Sequence, residues 1–472
     1  MKIKSIFYYL GLSIFPITFL AFFSLIYSSY FQFFIHFEDY IITLFVTGSL
    51  ASLLYYSFKN ENKELDFYEQ LVLIFLIYLL VPLLLALPYY LSNYNFSIIN
   101  SYFESISGFT GTGFSLIANV KNFDPILLIW RSSTQWLGGL YFICAVIIIF
   151  SNFKLDYKLT NIIYNPDRSS QINKNFNPVF FKILSIYLFL SVLIFLILNI
   201  SGLRVFDAFN LAMTLISAGG FLPTDNLGSI IKSPVQQIAL IICFALVIKN
   251  IYFLYGLTIK KEKLKNFYED ILIAITVLFF AVILLFFYQN VGILNIIEAV
   301  LSSISNIGLS TNPTFDELYL YFLFLTLIGG SILSSSSGLK VLRFYILLKA
   351  TLIEIFRLVK PNNIINLNIF ISEKKINNDL IKNSFLVFIL FFFSLFILSS
   401  LLVATGNLAF EDSFKLSILT ITNTVNSNLY GLDQINFFNF NEITKFSLII
   451  FMIIGKIELI SFLVILRKFF KS

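Results

Sequence analysis

Apolar runs of about twenty residues or more recur ten times along this chain. They lie at about 5–29, 38–58, 67–91, 124–150, 178–200, 234–257, 270–289, 315–350 (interrupted), 383–404 and 443–466. About 20 apolar residues in an α-helix cross the hydrocarbon core of a bilayer. Composition agrees: of 472 residues, 58% are hydrophobic and 12% charged, where soluble domains carry about 45–50% and about 25%. In water such a chain would expose a vast apolar surface. The expected fold is therefore an all-α integral membrane protein with ten transmembrane helices. The first run follows Lys2 and Lys4 without a small-residue cleavage site, so it reads as a retained helix.

The loops alternate in charge. Lys59 and Lys63, then Lys154, Lys158, Arg168, Lys174 and Lys182, then Lys260, Lys261, Lys263 and Lys265 lie on one side. Arg357, Lys360, Lys374, Lys375 and Lys382 follow, and Arg467, Lys468 and Lys471 close the series. An even helix count puts all of them with Lys2 and Lys4, on the side expected to be cytoplasmic. The net charge of +6 is thus a topology signal and gives no reason to expect nucleic acid. With one histidine (His36, in the first outer loop) and two cysteines in apolar runs (Cys144 and Cys243), neither a zinc or haem centre nor a disulfide framework is expected. No HExxH or GxSxG motif is present, so an enzyme is not expected. Tyrosines such as Tyr8, Tyr9, Tyr89 and Tyr90 cluster near the ends of apolar runs, as at a membrane interface.

Four loops on the opposite side are long and poor in Lys and Arg: 92–122, 201–233, 290–314 and 405–442. Each holds an apolar stretch too short to span, then small polar residues. Side by side they form a repeat. The first reads Tyr102-Phe-Glu-Ser-Ile-Ser-Gly-Phe-Thr-Gly-Thr-Gly-Phe114, and the second ends Ile216-Ser-Ala-Gly-Gly-Phe221. The third ends Ile304-Ser-Asn-Ile-Gly-Leu309, and the fourth runs from Phe410 through Asn426-Ser-Asn-Leu-Tyr-Gly431. An acidic residue (Glu104, Asp207, Glu298, Glu411) recurs near each start, where it would complement the positive end of a half-helix. The negative ends would then face the axis and favour a cation.

The expected organisation is two N-terminal helices (1–60) followed by four units, 61–165, 166–262, 263–362 and 363–472. Each unit is a membrane helix, a half-helix, a polar loop and a membrane helix. Backbone that is not helical at membrane depth must be buried or line a water-filled cavity. Rings of backbone carbonyls can replace an ion's hydration shell, and glycine tolerates the backbone angles needed to aim them. Gly113, Gly220 and Gly308 would supply that freedom, with Thr110, Thr112, Ser217 and Asn306 to hold the loops. Alternatively these glycines are ordinary turn or helix-packing residues.

The chain resembles the TrkH/KtrB/HKT superfamily of potassium transporters, and its TrkH branch in particular, which has the two leading helices. Ser107-Gly-Phe-Thr-Gly-Thr-Gly113 is similar to the family's first filter, and Trp130-Arg-Ser-Ser-Thr-Gln-Trp-Leu-Gly-Gly139 to the signature after it. Ser217-Ala-Gly-Gly-Phe221 resembles the second filter, and Ile454-Gly-Lys-Ile-Glu-Leu459 the last helix's signature. Gly329-Gly-Ser-Ile-Leu-Ser-Ser-Ser-Ser-Gly338, continuing to Arg343, resembles the break in the third unit's second helix.

The resemblance implies a pseudo-fourfold pore for potassium uptake across the bacterial cytoplasmic (inner) membrane, with both termini cytoplasmic. Potassium would be the substrate, with no bound cofactor. It also implies a homodimer in membrane lipid, gated by a cytosolic nucleotide-binding regulatory protein of the TrkA type. Filter positions carry over to Gly111, Thr112 and Gly113; to Ala218, Gly219 and Gly220; to Asn306, Ile307 and Gly308; and to Ser427, Asn428 and Leu429. The chain departs from the family in three places. Leu429 stands nearest the fourth glycine position, Ser335, Ser336 and Ser337 replace glycines in the break, and Lys456 replaces an arginine.

Two readings stand for the segment with Gly329, Gly330, Ser334, Ser335, Ser336, Ser337 and Gly338: an intramembrane loop that gates the path, or a kinked helix. Lys456, mid-helix, either bonds that loop and repels cations or forms a structural pair; Glu458, two residues on, does not share its face. Arg131 and Gln135 share a helix face and would anchor the first pore loop. Lys340 and Arg343 would mark the cytoplasmic side of the break. Competing functions are a mixed potassium/sodium path and an ion-coupled carrier of a small solute, whose repeats usually number two.

Overall fold

A computed structural model describes residues 2–33, 35–61, 65–152, 176–258, 260–261, 264–288, 291–311, 315, 318–360, 368–369, 376–406 and 408–457. The chain is helical almost throughout. Two antiparallel helices, Ile3–Phe31 and Phe37–Phe58, lead, and four units of one plan follow. The first unit has a leading helix Phe67–Leu85, a pore helix Ile98–Thr110 and a return helix Pro125–Asn152. The second has Phe176–Ile200, Val205–Ile216 and a return in two pieces, Pro234–Val247 and Phe253–Thr258. The third has Tyr268–Phe287, Ile293–Ile304 and a return split into Tyr319–Ile328 and Val341–Val359. The fourth has Asn378–Gly406, Phe410–Ile421 and Glu442–Ile457.

Seven of the described helices are long and apolar enough to span a bilayer: the two leading helices, all four unit-leading helices and the first return helix. Local sequence explains several starts. Asp66 and Glu69 close a capping box on the first unit's leading helix, and Ser233 and Gln236 do so on the second return helix. Ser97 caps the first pore helix through the Asn100 amide.

Each return helix packs against its own pore helix or that of the following unit. The first return helix lies on the second pore helix, the second on the third, the third on the fourth, and the fourth on the first. The units thus close a ring in the order one, two, three, four, so units two and four face each other across its axis. Glycine permits the tightest of these contacts. A Cβ on Gly138 would lie 1.8 Å from the Phe109 carbonyl oxygen, and one on Gly455 2.3 Å from that of Ile421. Small residues let helix backbones approach where lipid offers no hydrophobic drive. The N-terminal pair packs on the first unit's helices, where the Tyr141 hydroxyl donates to the Ser13 carbonyl at 2.6 Å.

The run at 234–257 is not one helix. It breaks at residues 248–252. Asn250 drives the break: its amide donates to Asp270 Oδ1 (2.8 Å), and its own Oδ1 accepts from the Tyr252 amide (2.9 Å). Both bonds replace those a continuous helix would make.

Candidate functional site: four loops and an intramembrane segment

The four pore helices end alike. Each stops at a residue in left-handed backbone conformation: Gly111 (φ 77°), Ala218 (54°), Asn306 (62°) and Asn423 (50°). Two further residues complete a trio in each loop: Gly111-Thr112-Gly113, Ala218-Gly219-Gly220, Asn306-Ile307-Gly308 and Asn423-Thr424-Val425. The first three coincide with the residues expected from sequence. The fourth lies four residues earlier than expected, and Val425 occupies the place given to Leu429. Ser427, Asn428 and Leu429 instead lie beyond the trio: the Ser427 hydroxyl donates to the Gly308 carbonyl (2.6 Å), and residues 428–430 form a 3-10 turn. The left-handed backbone of Asn423 sets this register, and no glycine marks it in the sequence.

Asparagine also ties the ring together. The Asn306 amide group donates to the Thr326 carbonyl (2.8 Å) and to Thr424 Oγ1 (3.2 Å). The Asn423 amide group donates to the Met452 carbonyl (3.0 Å) and to Thr112 Oγ1 (3.0 Å). Loop three is thus bonded to loop four, and loop four to loop one. The Thr110 and Thr112 hydroxyls pair at 2.8 Å, and Thr422 and Thr424 at 3.0 Å. Ser217 turns back on its own helix, its hydroxyl donating to the Thr214 carbonyl (2.8 Å).

The acidic residues do not all sit at helix starts. Only Asp207 and Glu411 lie in a first turn. Glu104 and Glu298 lie mid-helix, buried, and clasp the chain as it leaves the loop. Glu104 accepts from the Leu116 amide (2.8 Å), the Ser115 hydroxyl (3.0 Å) and Arg131 (3.0 Å). Glu298 accepts from the Thr311 amide and hydroxyl (both 2.7 Å) and from Gln237 (2.6 Å). An acidic residue at the pore-helix start therefore stands in units two and four alone.

Arg131 anchors two loops. It is 2% exposed, pairs with Glu104, and lies over the Phe221 ring at 4.1 Å. Gln135 serves the second loop, accepting from the Phe221 amide (3.3 Å). His36, at the start of the second helix, pairs with Asp39 at 2.9 Å beside the Tyr94 ring.

Residues 329–340 leave the third return helix and form a buried loop, which decides against a kinked helix. Gly329 and Gly338 take positive φ (68° and 78°) and close the loop's neck: the Leu339 amide donates to the Leu327 carbonyl (2.9 Å). Ser336 Oγ accepts from the Gly330 amide (3.0 Å) and lies 2.6 Å from Ser334 Oγ. The loop pairs with the break in the second return helix, Ser331 N to Ile248 O (3.1 Å) and Ile251 N to Leu333 O (3.0 Å). Glu269 holds it from the third leading helix, accepting from the Ser331 hydroxyl (2.8 Å) and the Ile332 amide (3.2 Å). Sequence reading missed Glu269 and Asp270 because they look like ordinary residues at a helix start.

Lys456 joins this loop to the ring above. Its ammonium donates to the Ser335 carbonyl (3.2 Å) and Ser337 Oγ (3.4 Å), and Ser337 in turn donates to Asn423 Oδ1 (3.2 Å). A Cβ on Gly111 would lie 3.5 Å from the Lys456 ammonium, which therefore sits just beneath the first trio. Lys340 does not mark an aqueous boundary. It is buried and turns back to donate to the Ser336 carbonyl, and Arg343 is buried too. Both lysines approach the Phe142 ring, Lys456 at 4.4 Å and Lys340 at 5.5 Å from its centroid. Glu458 lies outside the described residues.

On the other side of the trios, a cavity of about 720 Å³ opens between the loops. Gly113, Gly220 and Val425 line its inner end, and Asp225 and Asp433 are among its polar residues. Helices of membrane length, four half-helices meeting at one axis and an open vestibule above a buried loop define a multi-pass membrane protein of pore-loop architecture. Residues 36–312 match the TrkH family, described as a cation transport protein. The chain belongs to that family, which is one of transporters rather than enzymes. It is 26% identical over 450 residues to an uncharacterised cation transporter of Methanocaldococcus jannaschii, covering 92% of this chain and 90% of that one. It is 26% identical over 460 residues to the Trk system potassium uptake protein TrkH of Salmonella typhimurium, covering 91% of each. The crystal structure of the potassium transporter TrkH from Vibrio parahaemolyticus superposes with a TM-score of 0.81 at 20% identity, covering 98% of both chains.

Proposed function

We propose that this chain carries potassium into the cell across the cytoplasmic membrane, along the ring axis and past the four trios. The observation that carries the reading is the stacking of three features: an open vestibule, a ring of four pore-helix ends, and a non-helical loop directly beneath it. Backbone carbonyls of the trios would replace the ion's hydration shell, aided by the negative ends of four pore helices. The names of its relatives favour potassium.

In this reading residues 329–338 are the gate. Lys456 holds the loop by its carbonyl and hydroxyl and sets a positive charge at the inner end of the ring, which opposes a cation while the loop is seated. The chain works as a homodimer with both termini cytoplasmic, under a cytosolic nucleotide-binding regulator of the TrkA type. Val425, where the other three loops have glycine, favours weaker discrimination between potassium and sodium.

The test is growth rescue of a potassium-uptake-deficient bacterium at low potassium, with rubidium and sodium flux in vesicles. Rescue with rubidium flux is expected. Confirmed membrane expression alongside the native regulator, with neither rescue nor flux, would exclude the reading.

A further inference from the structure

The third residue of each trio differs between the two diagonals of the ring. Gly113 and Gly308, in units one and three, have φ of 80° and 74°. Gly220 and Val425, in units two and four, are not among the positive-φ residues. An L-residue with a branched side chain resists positive φ, so valine fits the fourth loop where it would strain the first or third. Gly220 answers a different need. A Cβ placed on it would lie 2.3 Å from the Val425 Cβ and 2.8 and 2.9 Å from its two methyl groups. Units two and four are opposite in the ring, so the valine side chain reaches across the axis to the facing backbone. Gly113 closes on the same point, since a Cβ there would lie 2.9 Å from the Gly220 Cα. Val425 is only 6% exposed, although it borders the vestibule.

We propose that Val425 is the closure at the outer end of the ion path, an aliphatic side chain seated on Gly220 across the ring axis. The proposal deepens the transport reading above and rests on it. An isopropyl group offers a cation no oxygen, and an apolar constriction opposes ions by excluding water. An ion leaving the vestibule therefore passes only when the side chain swings off Gly220. Residue 425 then sets the rate of entry separately from the loop beneath, and the glycine at 220 exists to receive it.

The experiment measures rubidium uptake, with and without competing sodium, into proteoliposomes bearing the full chain. Wild type is compared with Val425→Ala, Val425→Leu, Gly220→Ala and the double variant Gly220→Ala/Val425→Gly. Size-exclusion and circular dichroism profiles fix the folded amount of each. Val425→Ala is expected to raise uptake several-fold and Val425→Leu to lower it. Gly220→Ala should depress uptake, and adding Val425→Gly should restore it, because only that change removes the Val425 Cβ, 2.3 Å from the new methyl, along with both methyl groups. Wild-type uptake with no change in Val425→Ala and Val425→Leu overturns the proposal, and so does a double variant no better than Gly220→Ala. If Gly220→Ala does not fold, the two single valine variants decide. Absence of uptake from wild type and every variant would instead overturn the transport reading, and this one with it.

Discussion

Single residues here act through what they join. Arg131 is the clearest case, since one buried guanidinium meets Glu104 on the first pore helix and Phe221 on the second loop. Removing one partner of a buried pair leaves an uncompensated charge, at about 3–5 kcal/mol. Glu104→Ala is therefore expected to lower the thermal midpoint in detergent sharply. Glu354→Ala should do little, because the Glu354 side chain and that of its partner Arg357 are both exposed, 66% and 50%. Equal midpoints for the two variants would contradict the assignment. Glycines divide in the same way. Gly138→Ala forces a methyl into the Phe109 carbonyl, whereas the nearest atom to a methyl on Gly48 is 3.8 Å away. Gly138→Ala should abolish the folded peak in size exclusion, and Gly48→Ala should leave it. The glycines of three trios and the Trp130 signature were legible in sequence because small residues at recurring places leave a pattern. Asn423 was not, because its part depends on a left-handed φ and on bonds to Thr112 and Met452, more than 300 and nearly 30 residues away.

At the scale of elements, two return helices are broken at membrane depth and the breaks are bonded to each other. Broken helices at that depth need partners for every freed backbone group. Here they come from the opposite break and from the adjacent carboxylates Glu269 and Asp270. The segment after Ile328 announced itself through its serines and glycines, but the break at 248–252 lies in an apolar run and left no such mark. Shortening Ser334–Ser337 is expected to raise rubidium flux, since the loop then fails to fill the space beneath the ring. Lys456→Ala should do the same by releasing the Ser335 carbonyl and Ser337. Unchanged flux at equal expression in both variants would argue against the gate. The Ser331 hydroxyl and the Ile332 amide both donate to Glu269 Oε2, so Glu269→Gln keeps an acceptor for both, and its flux should rise less than that of Glu269→Ala.

For the whole molecule, the N-terminal pair packs mainly on unit one, reaches unit two where the Phe23 ring lies 6.3 Å from that of Phe209, and contributes no residue to the trios or to the loop beneath them. A chain beginning at residue 61 is therefore expected to melt earlier yet keep the same rubidium-to-sodium flux ratio as the full chain. A changed ratio would show that the pair shapes the path. The four units follow one plan, but two properties alternate around the ring. Positive φ at the third trio position belongs to units one and three, as do the mid-helix carboxylates; units two and four have neither. A repeat read from sequence shows four copies, and only the backbone shows them as two kinds.

That alternation bears on how such a protein can change. A pore assembled from four identical chains alters all its walls with every substitution, so an intermediate with one changed wall is never available. Here each wall is encoded separately. Loop four carries valine where the other three carry glycine, and loops three and four carry asparagine where loop one has glycine and loop two alanine. Ion preference and entry rate can thus drift one wall at a time, by steps small enough for each ancestor to remain a working transporter.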